Sequence, residues 1–158
     1  MVKSVPTLIL AIGNPSRGDD ALGPLAIERL EAMKLPDVEL LTDFQLQVEH
    51  VLDLEGRNEV IFIDAAASGP EPFEFRPLLP AHDFAHTSHA LAPETVLGVC
   101  ARVGVTPPVQ AHVLAIRGYR FELGEPLSAA AAANLEAALR FLLARGFPPL
   151  QKGGRGDF

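Results

Sequence analysis

The sequence predicts an α/β domain: a mostly parallel, twisted sheet of about five strands with helices on both faces. Three observations carry that expectation. Apolar runs of strand length alternate with stretches of helical spacing. The connections are short, with no internal repeat and no interdomain linker. One run, Val60-Ile61-Phe62-Ile63, is continuously apolar and largely β-branched, the pattern of a strand covered on both sides. Strands and helices that alternate over short links build a parallel sheet between helical layers.

Taken in order, residues 6–12 form an apolar first strand. A helix over 24–33 follows, with Leu22, Leu25, Ala26, Leu30 and Met33 sharing a face and Pro24 suited to a first turn. Residues 38–41 make a short second strand that closes on Thr42-Asp43. Residues 45–54 read as a helix stopped by Gly56, with Val48, Val51, Leu52 and Glu55 at helical spacing. The third strand, 60–63, runs into Asp64. Residues 73–78 alternate with period two, so one face is half-exposed, and Pro77 fits a sheet edge. A helix over 93–103 ends at Gly104, and 109–116 is strand-like. Ser128 caps a long Ala-rich helix whose core face carries Leu135, Leu139 and Leu142, and Gly146 ends it.

At 158 residues the chain fits one domain with a sizeable core, expected over 1–148, with the Gly-rich 149–158 a disordered tail. The Arg-Gly-Asp triplet in that tail is read as composition, not as an adhesion motif. Thirteen Lys+Arg against twenty Asp+Glu give a net charge of −7, which speaks against nucleic acid and anionic membranes as partners. The single Cys100 excludes an intramolecular disulfide and a Cys-based zinc cage, and suits a reducing cytoplasm. The apolar run near the N-terminus is short and ends in a turn, unlike a signal peptide. No segment approaches the roughly 18 continuous apolar residues of a membrane span.

The most informative stretch is Leu8-Ile9-Leu10-Ala11-Ile12-Gly13-Asn14-Pro15-Ser16-Arg17-Gly18-Asp19-Asp20-Ala21-Leu22-Gly23. It sets two adjacent carboxylates at the threshold of a helix, which is costly unless they are solvated, hydrogen-bonded or opposed by a cation. In open α/β sheets ligands bind at the carboxyl ends of strands, where strand order reverses. With the first strand between the second and third, Asp20 and Asp64 share that crevice. Taken singly, Asp20 would complement a helix dipole and Asp64 would bond loop amides. Their convergence points to a site.

His82, His86 and His89 lie at i, i+4 and i+7, a spacing that could hold zinc on a helix. Ser88 reads as an N-cap or loop residue, so the segment is expected to be a loop with His89 nearest the next helix. His50 and His112 are read as surface or core histidines. Two carboxylates and an imidazole suit Zn²⁺ or Ni²⁺ with open positions, and the same groups could do acid–base work without a metal.

Other motifs fail on particular residues. Gly13 and Gly18 have phosphate-loop spacing, but Asp19-Asp20 stand where Lys and Ser/Thr belong. No dinucleotide-binding glycine pattern is present. The opening Ile12-Gly13-Asn14-Pro15 is similar to that of peptidyl-tRNA hydrolases, but the continuation differs and the acidic balance is wrong for tRNA. There is no Gly-x-Ser-x-Gly elbow, and Cys100 falls inside an expected helix.

The run from Gly13 to Gly23 resembles the N-terminal signature of hydrogenase maturation endopeptidases. Residues 60–65 resemble their third strand, and Ser88-His89-Ala90-Leu91-Ala92-Pro93 their histidine segment. Residues 121–128, leading into a helix, fit as well, so the match spans residues 8 to 143 in order. Residues 42–50 depart from the Gly-rich stretch many members carry, and look more like the branch serving NAD-linked or bidirectional hydrogenases. The resemblance implies an enzyme that removes the C-terminal peptide of the [NiFe] hydrogenase large-subunit precursor after nickel insertion. It maps the metal-contacting and catalytic positions to Asp20, Asp64 and His89, with Asp19 and Asn14 in support. It implies that the nickel comes with the precursor, so that the free enzyme is metal-free; separately, the chain is expected to be a cytoplasmic monomer. The rival expectation is a non-catalytic nickel-binding or escort protein on the same fold.

Overall fold

Strand β1 (Thr7–Ile12) lies inside the sheet, with β2 (Val38–Asp43) on one side and β3 (Glu59–Ala66) on the other. The computed structural model describes residues 5–81 and 91–147. Beyond β3 come β5 (Gln110–Arg117), parallel to it, and β4 (Phe73–Pro77), antiparallel at the edge, in the order β2-β1-β3-β5-β4. The register sets Ile9 level with Leu40 and Ile61. The α/β class, the mostly parallel sheet of five strands and the place of β1 between β2 and β3 agree with the expectation.

Period-two alternation along the strands feeds two cores. Ile9, Ala11, Ile61, Ile63, Leu114 and Ile116 pack beneath α1 (Leu22–Ala32) and α4 (Ala129–Arg145). Leu8, Leu10, Val60, Phe62 and Val113 pack on the other face against α2 (Val51–Leu54) and α3 (Pro93–Arg102). Every one of these strand residues is buried, as a sheet covered on both faces requires. Among the described residues no helix is long and apolar enough to cross a membrane.

Two expectations are corrected. The helix expected over 45–54 is a 3₁₀ turn at Val48–His50 followed by the single turn of α2. Gln47 is extended (φ −133°, ψ 161°), and its N–H donates to His50 Nδ1 at 2.9 Å, so helical geometry starts only after it. Leu46, Val51 and Leu54 are the buried apolar residues here, while Val48 and Leu52 of the expected face are exposed. The first helix begins at Leu22, earlier than expected, straight after a 3₁₀ turn at Gly18–Ala21. Pro24 still falls in the first turn, where no intrahelical N–H is needed.

The capping signals hold. The Ser128 hydroxyl accepts the Ala131 N–H at 3.2 Å at the start of α4, and Gly146 ends that helix at φ 73°. At the amino ends of the strands, fully buried Glu59 meets the Arg145 guanidinium, and His112 Nδ1 lies 2.8 Å from Glu59 Oε2. Phe75 stacks on His112 with centroids 4.6 Å apart, and Arg145 lies over the same ring. His112 is thus a structural residue, tying α4 to the sheet away from the crevice.

Candidate active site

The turn that leaves β1 is held from three directions. Gly13 N–H donates to the Asp43 carbonyl at 3.1 Å, fixing it to the end of β2. Gly18 N–H donates to the Glu125 carbonyl and Asp19 N–H to the Arg120 carbonyl, fixing it to the loop after β5. Asn14 Oδ1 accepts the Ser16 N–H at 2.8 Å and closes the turn on itself. Such close packing leaves no room for side chains. A Cβ on Gly13 would lie 2.1 Å from the Asp20 carbonyl oxygen, and one on Gly18, at φ +54°, 2.5 Å from the Arg120 carbonyl oxygen.

The two adjacent aspartates take opposite roles. Asp19 is fully buried and accepts four hydrogen bonds: from the N–H groups of Ser128 (2.7 Å), Tyr119 (2.6 Å) and Arg120 (3.1 Å) and from the Ser128 hydroxyl (2.8 Å). Burial pushes its pKa up, but these donors outweigh burial and hold the carboxyl below its ordinary value. A buried carboxylate so saturated is a structural anchor. Asp20 is only half-buried, and its Oδ2 accepts the Asn14 N–H at 2.7 Å.

Asp64 stands near the carboxyl end of β3, with Oδ1 accepting the Ala65 N–H at 2.8 Å. Burial pushes its pKa up to about 6. The Ala65 N–H opposes that rise, and the charge of Asp20 adds to it. Asp64 thus feels the charge of a residue 44 positions away in the chain. Their convergence follows from the strand order, since β1 and β3 are adjacent and parallel.

His89 lies outside the described residues, as do His82, His86, Ser88 and the tail 149–158. Leu91 packs against the α2–α3 core, and α3 starts with Pro93 in its first turn. Among the described residues no three His, Cys, Asp or Glu side chains gather to hold a metal ion. Asn14 positions the turn, through both its side chain and its N–H.

Three features were not legible beforehand. The cradle for Asp19 comes from Tyr119, Arg120 and Ser128, about which local sequence says nothing beyond the capping role of Ser128. His50 Nε2 lies 3.3 Å from Asp43 Oδ2. A groove of about 210 Å³, lined by Gly13, Pro15, Pro24, Thr42, Asp43 and Phe44, opens at the carboxyl ends of β1 and β2.

No protein-family model and no curated protein matches the chain. Solved structures do. The hydrogenase maturating endopeptidase HybD from E. coli superposes with a TM-score of 0.68 at 22% identity, covering 88% of this chain and 90% of that one. The [NiFe] hydrogenase maturation protease HycI from Thermococcus kodakarensis gives 0.66 at 26% identity, covering 87% and 89%. An endopeptidase from Escherichia coli, solved in solution, gives 0.67 at 25% identity, covering 87% and 90%. The fold is the one these solved maturation proteases have. More particularly, the chain is a structural relative of the hydrogenase maturation endopeptidases, as its sequence resemblance implied.

Proposed function

We propose that this chain is an endopeptidase that removes the C-terminal peptide of the nickel-loaded [NiFe] hydrogenase large-subunit precursor. The observation that carries the reading is the pairing of Asp20 and Asp64 across the crevice of a fold shared with such proteases. Nickel belongs to the substrate. Asp20 and Asp64, with His89, are the residues that meet it. Two facing carboxylates suit a divalent cation, because its arrival turns their mutual repulsion into attraction.

The chain's own chemistry is then hydrolysis by a carboxylate-held water. The precursor docks with its scissile carbonyl in the crevice. A water bonded to the acid pair attacks that carbon, its proton passes to a carboxylate, and the C–N bond breaks as the amine takes up a proton. Asp19 stays ionised and keeps the turn in place. The free, buried thiol of Cys100 supports the cytoplasm as the compartment.

The test is mass spectrometry of the large subunit after mixing with the protein. Nickel-loaded precursor is expected to lose a short C-terminal peptide while nickel-free precursor stays intact. Asp20→Asn, Asp64→Asn and His89→Ala are expected to slow cleavage by about 100-fold or more. Wild-type rates in the two aspartate variants would remove the acid pair from the mechanism. An intact precursor, together with stoichiometric Ni²⁺ binding by the isolated chain in calorimetry, would establish an escort protein instead.

A further inference from the structure

We propose that Tyr119 is a positioning residue for the reaction: it holds the turn that carries Asp20 and the loop that follows Asp64 in one frame. The inference rests on the endopeptidase reading and deepens it. β1 and β3 pair only as far as Ala11 and Ile63. Asp64 comes just after that last pair, whereas Asp20 lies well beyond it, in a 3₁₀ turn outside the ladder. The pairing of β3 with β5 runs further, to Ala66 and Arg117. β5 therefore carries the frame of Asp64 past the point where β1 leaves the sheet.

Residues 118–120 bridge what remains. Gly118 N–H donates to the Ala66 carbonyl at 2.8 Å, at the end of the strand of Asp64. The next two N–H groups, of Tyr119 and Arg120, donate to the Asp19 carboxylate beside Asp20. The joint is packed closely: a Cβ on Gly118 would lie 2.8 Å from the Asp19 Cβ.

The Tyr119 side chain fixes the joint from the other side. Its hydroxyl donates to Glu71 Oε2 at 2.8 Å and accepts from Asn134 Nδ2 of α4 at 3.0 Å. Glu71 belongs to the loop 67–72, which connects β3 to β4 past the end of β5. Arg117 adds a second tie to that loop. Its Nη1 donates to the Gly69 carbonyl at 2.8 Å, and its guanidinium carbon lies 5.0 Å from the centre of the Tyr119 ring. Asn134 also donates to the Arg117 carbonyl at 3.0 Å. Tyr119 thus has its backbone on Asp19 and its hydroxyl on the loop after Asp64. Chemistry shared between two acids depends on their spacing, and a misplacement of about 1 Å can cost about 100-fold in rate.

The test uses the full chain and two readouts: cleavage of intact nickel-loaded precursor, and hydrogen exchange of the Asn14 amide. That amide donates to the Asp20 carboxylate, so its protection reports whether Asp20 stays in place. Tyr119→Phe removes the hydroxyl but keeps the ring and the N–H, and Tyr119 is 39% exposed, so the core is left intact. It is expected to lower kcat about fivefold with KM within about twofold, and to speed Asn14 exchange about threefold. Glu71→Ala is expected to do the same, and the double variant no more than either alone, because both remove one bond. Glu71→Gln, whose amide oxygen still accepts from the hydroxyl, is expected to keep both readouts near wild type. Glu136→Gln, which breaks the exposed pair with Arg29 on the same helix as Asn134, is expected to change neither. Wild-type Asn14 exchange in Tyr119→Phe, or an equal effect of Glu136→Gln, would overturn the positioning role, whether or not precursor is cut. Faster exchange with unchanged kcat would overturn it too. Faster exchange in Tyr119→Phe, without cleavage by the wild type, would uphold the shared frame and overturn the catalytic reading alone.

Discussion

Ser128 donates both its N–H and its hydroxyl to the Asp19 carboxylate, at 2.7 and 2.8 Å, across 109 residues of chain. The same hydroxyl oxygen caps α4 by accepting the Ala131 N–H. One serine therefore joins the turn after β1, the loop after β5 and the last helix. The turn that carries Asp20 is held by its neighbour, and the neighbour is held by the far end of the protein.

This relationship separates the effects of two adjacent substitutions. Asp19→Ala would leave the N–H groups of Tyr119, Arg120 and Ser128 without their acceptor, the last of them buried. The expected cost is about 3 kcal/mol or more, read as a lower urea midpoint with an unchanged m-value. Asp20→Asn is expected to stay within about 1 kcal/mol of wild type, since among the described residues its one recorded hydrogen bond comes from the Asn14 N–H. Equal stability of the two variants would contradict the anchor role of Asp19.

Asp64 carries a pH dependence of definite sign. Its folded pKa of about 6 lies above the ordinary 3.8, so the native state binds its proton more tightly than the unfolded chain does. The stability this provides is fully present below the unfolded pKa and is lost as pH rises through the folded one. Above that window the ionised carboxylate costs the fold about 3 kcal/mol. Asp64→Asn is therefore expected to raise stability at pH 7 while stopping cleavage. A carboxyl titration by NMR should place its midpoint near 6, and a midpoint near 4 would refute the shift.

Gly13 is a steric requirement. Gly13→Ala forces either the Asp20 carbonyl or the end of β1 to move, since the added carbon would lie 2.1 Å from a backbone oxygen. The expected result is a loss of about 1–3 kcal/mol together with slower cleavage, because Asp20 moves with the turn. Gly56→Ala, whose added carbon meets nothing within 4 Å, serves as the comparison for backbone strain at φ +70°. If the two variants behave alike, crowding at Gly13 is not the cause.

Cys100 should be chemically silent. It is fully buried, its thiol donates to the Val96 carbonyl, and burial, with the charge of Glu55 adding to it, pushes its pKa up. Alkylation by iodoacetamide is expected to track global unfolding across a urea series. Rapid labelling of the native protein would show that α3 opens locally.

Much of the architecture was legible because it is written in short-range patterns. The all-apolar run at 60–63 marked a central strand, Pro77 marked the edge, and Ser128 and Gly146 marked the ends of α4. Residues 45–54 misled because their apolar spacing satisfies a helix, whereas a bond from Gln47 to His50 keeps the first residues extended. That bond depends on the ring orientation of a single buried histidine, which periodicity does not report.

At the site, sequence alone determined that an acid pair would stand at the carboxyl ends of β1 and β3. Strand order follows from alternating elements, and residues at strand ends follow from strand order. Only the tertiary structure decided which of two identical adjacent residues does what. Asp19 and Asp20 have the same side chain and nearly the same local sequence. They differ because the loop from 118 to 128 folds over one and leaves the other half-buried beside Asn14. Donors that arrive from 100 and 109 residues away leave no trace in the neighbourhood of the residue they bury.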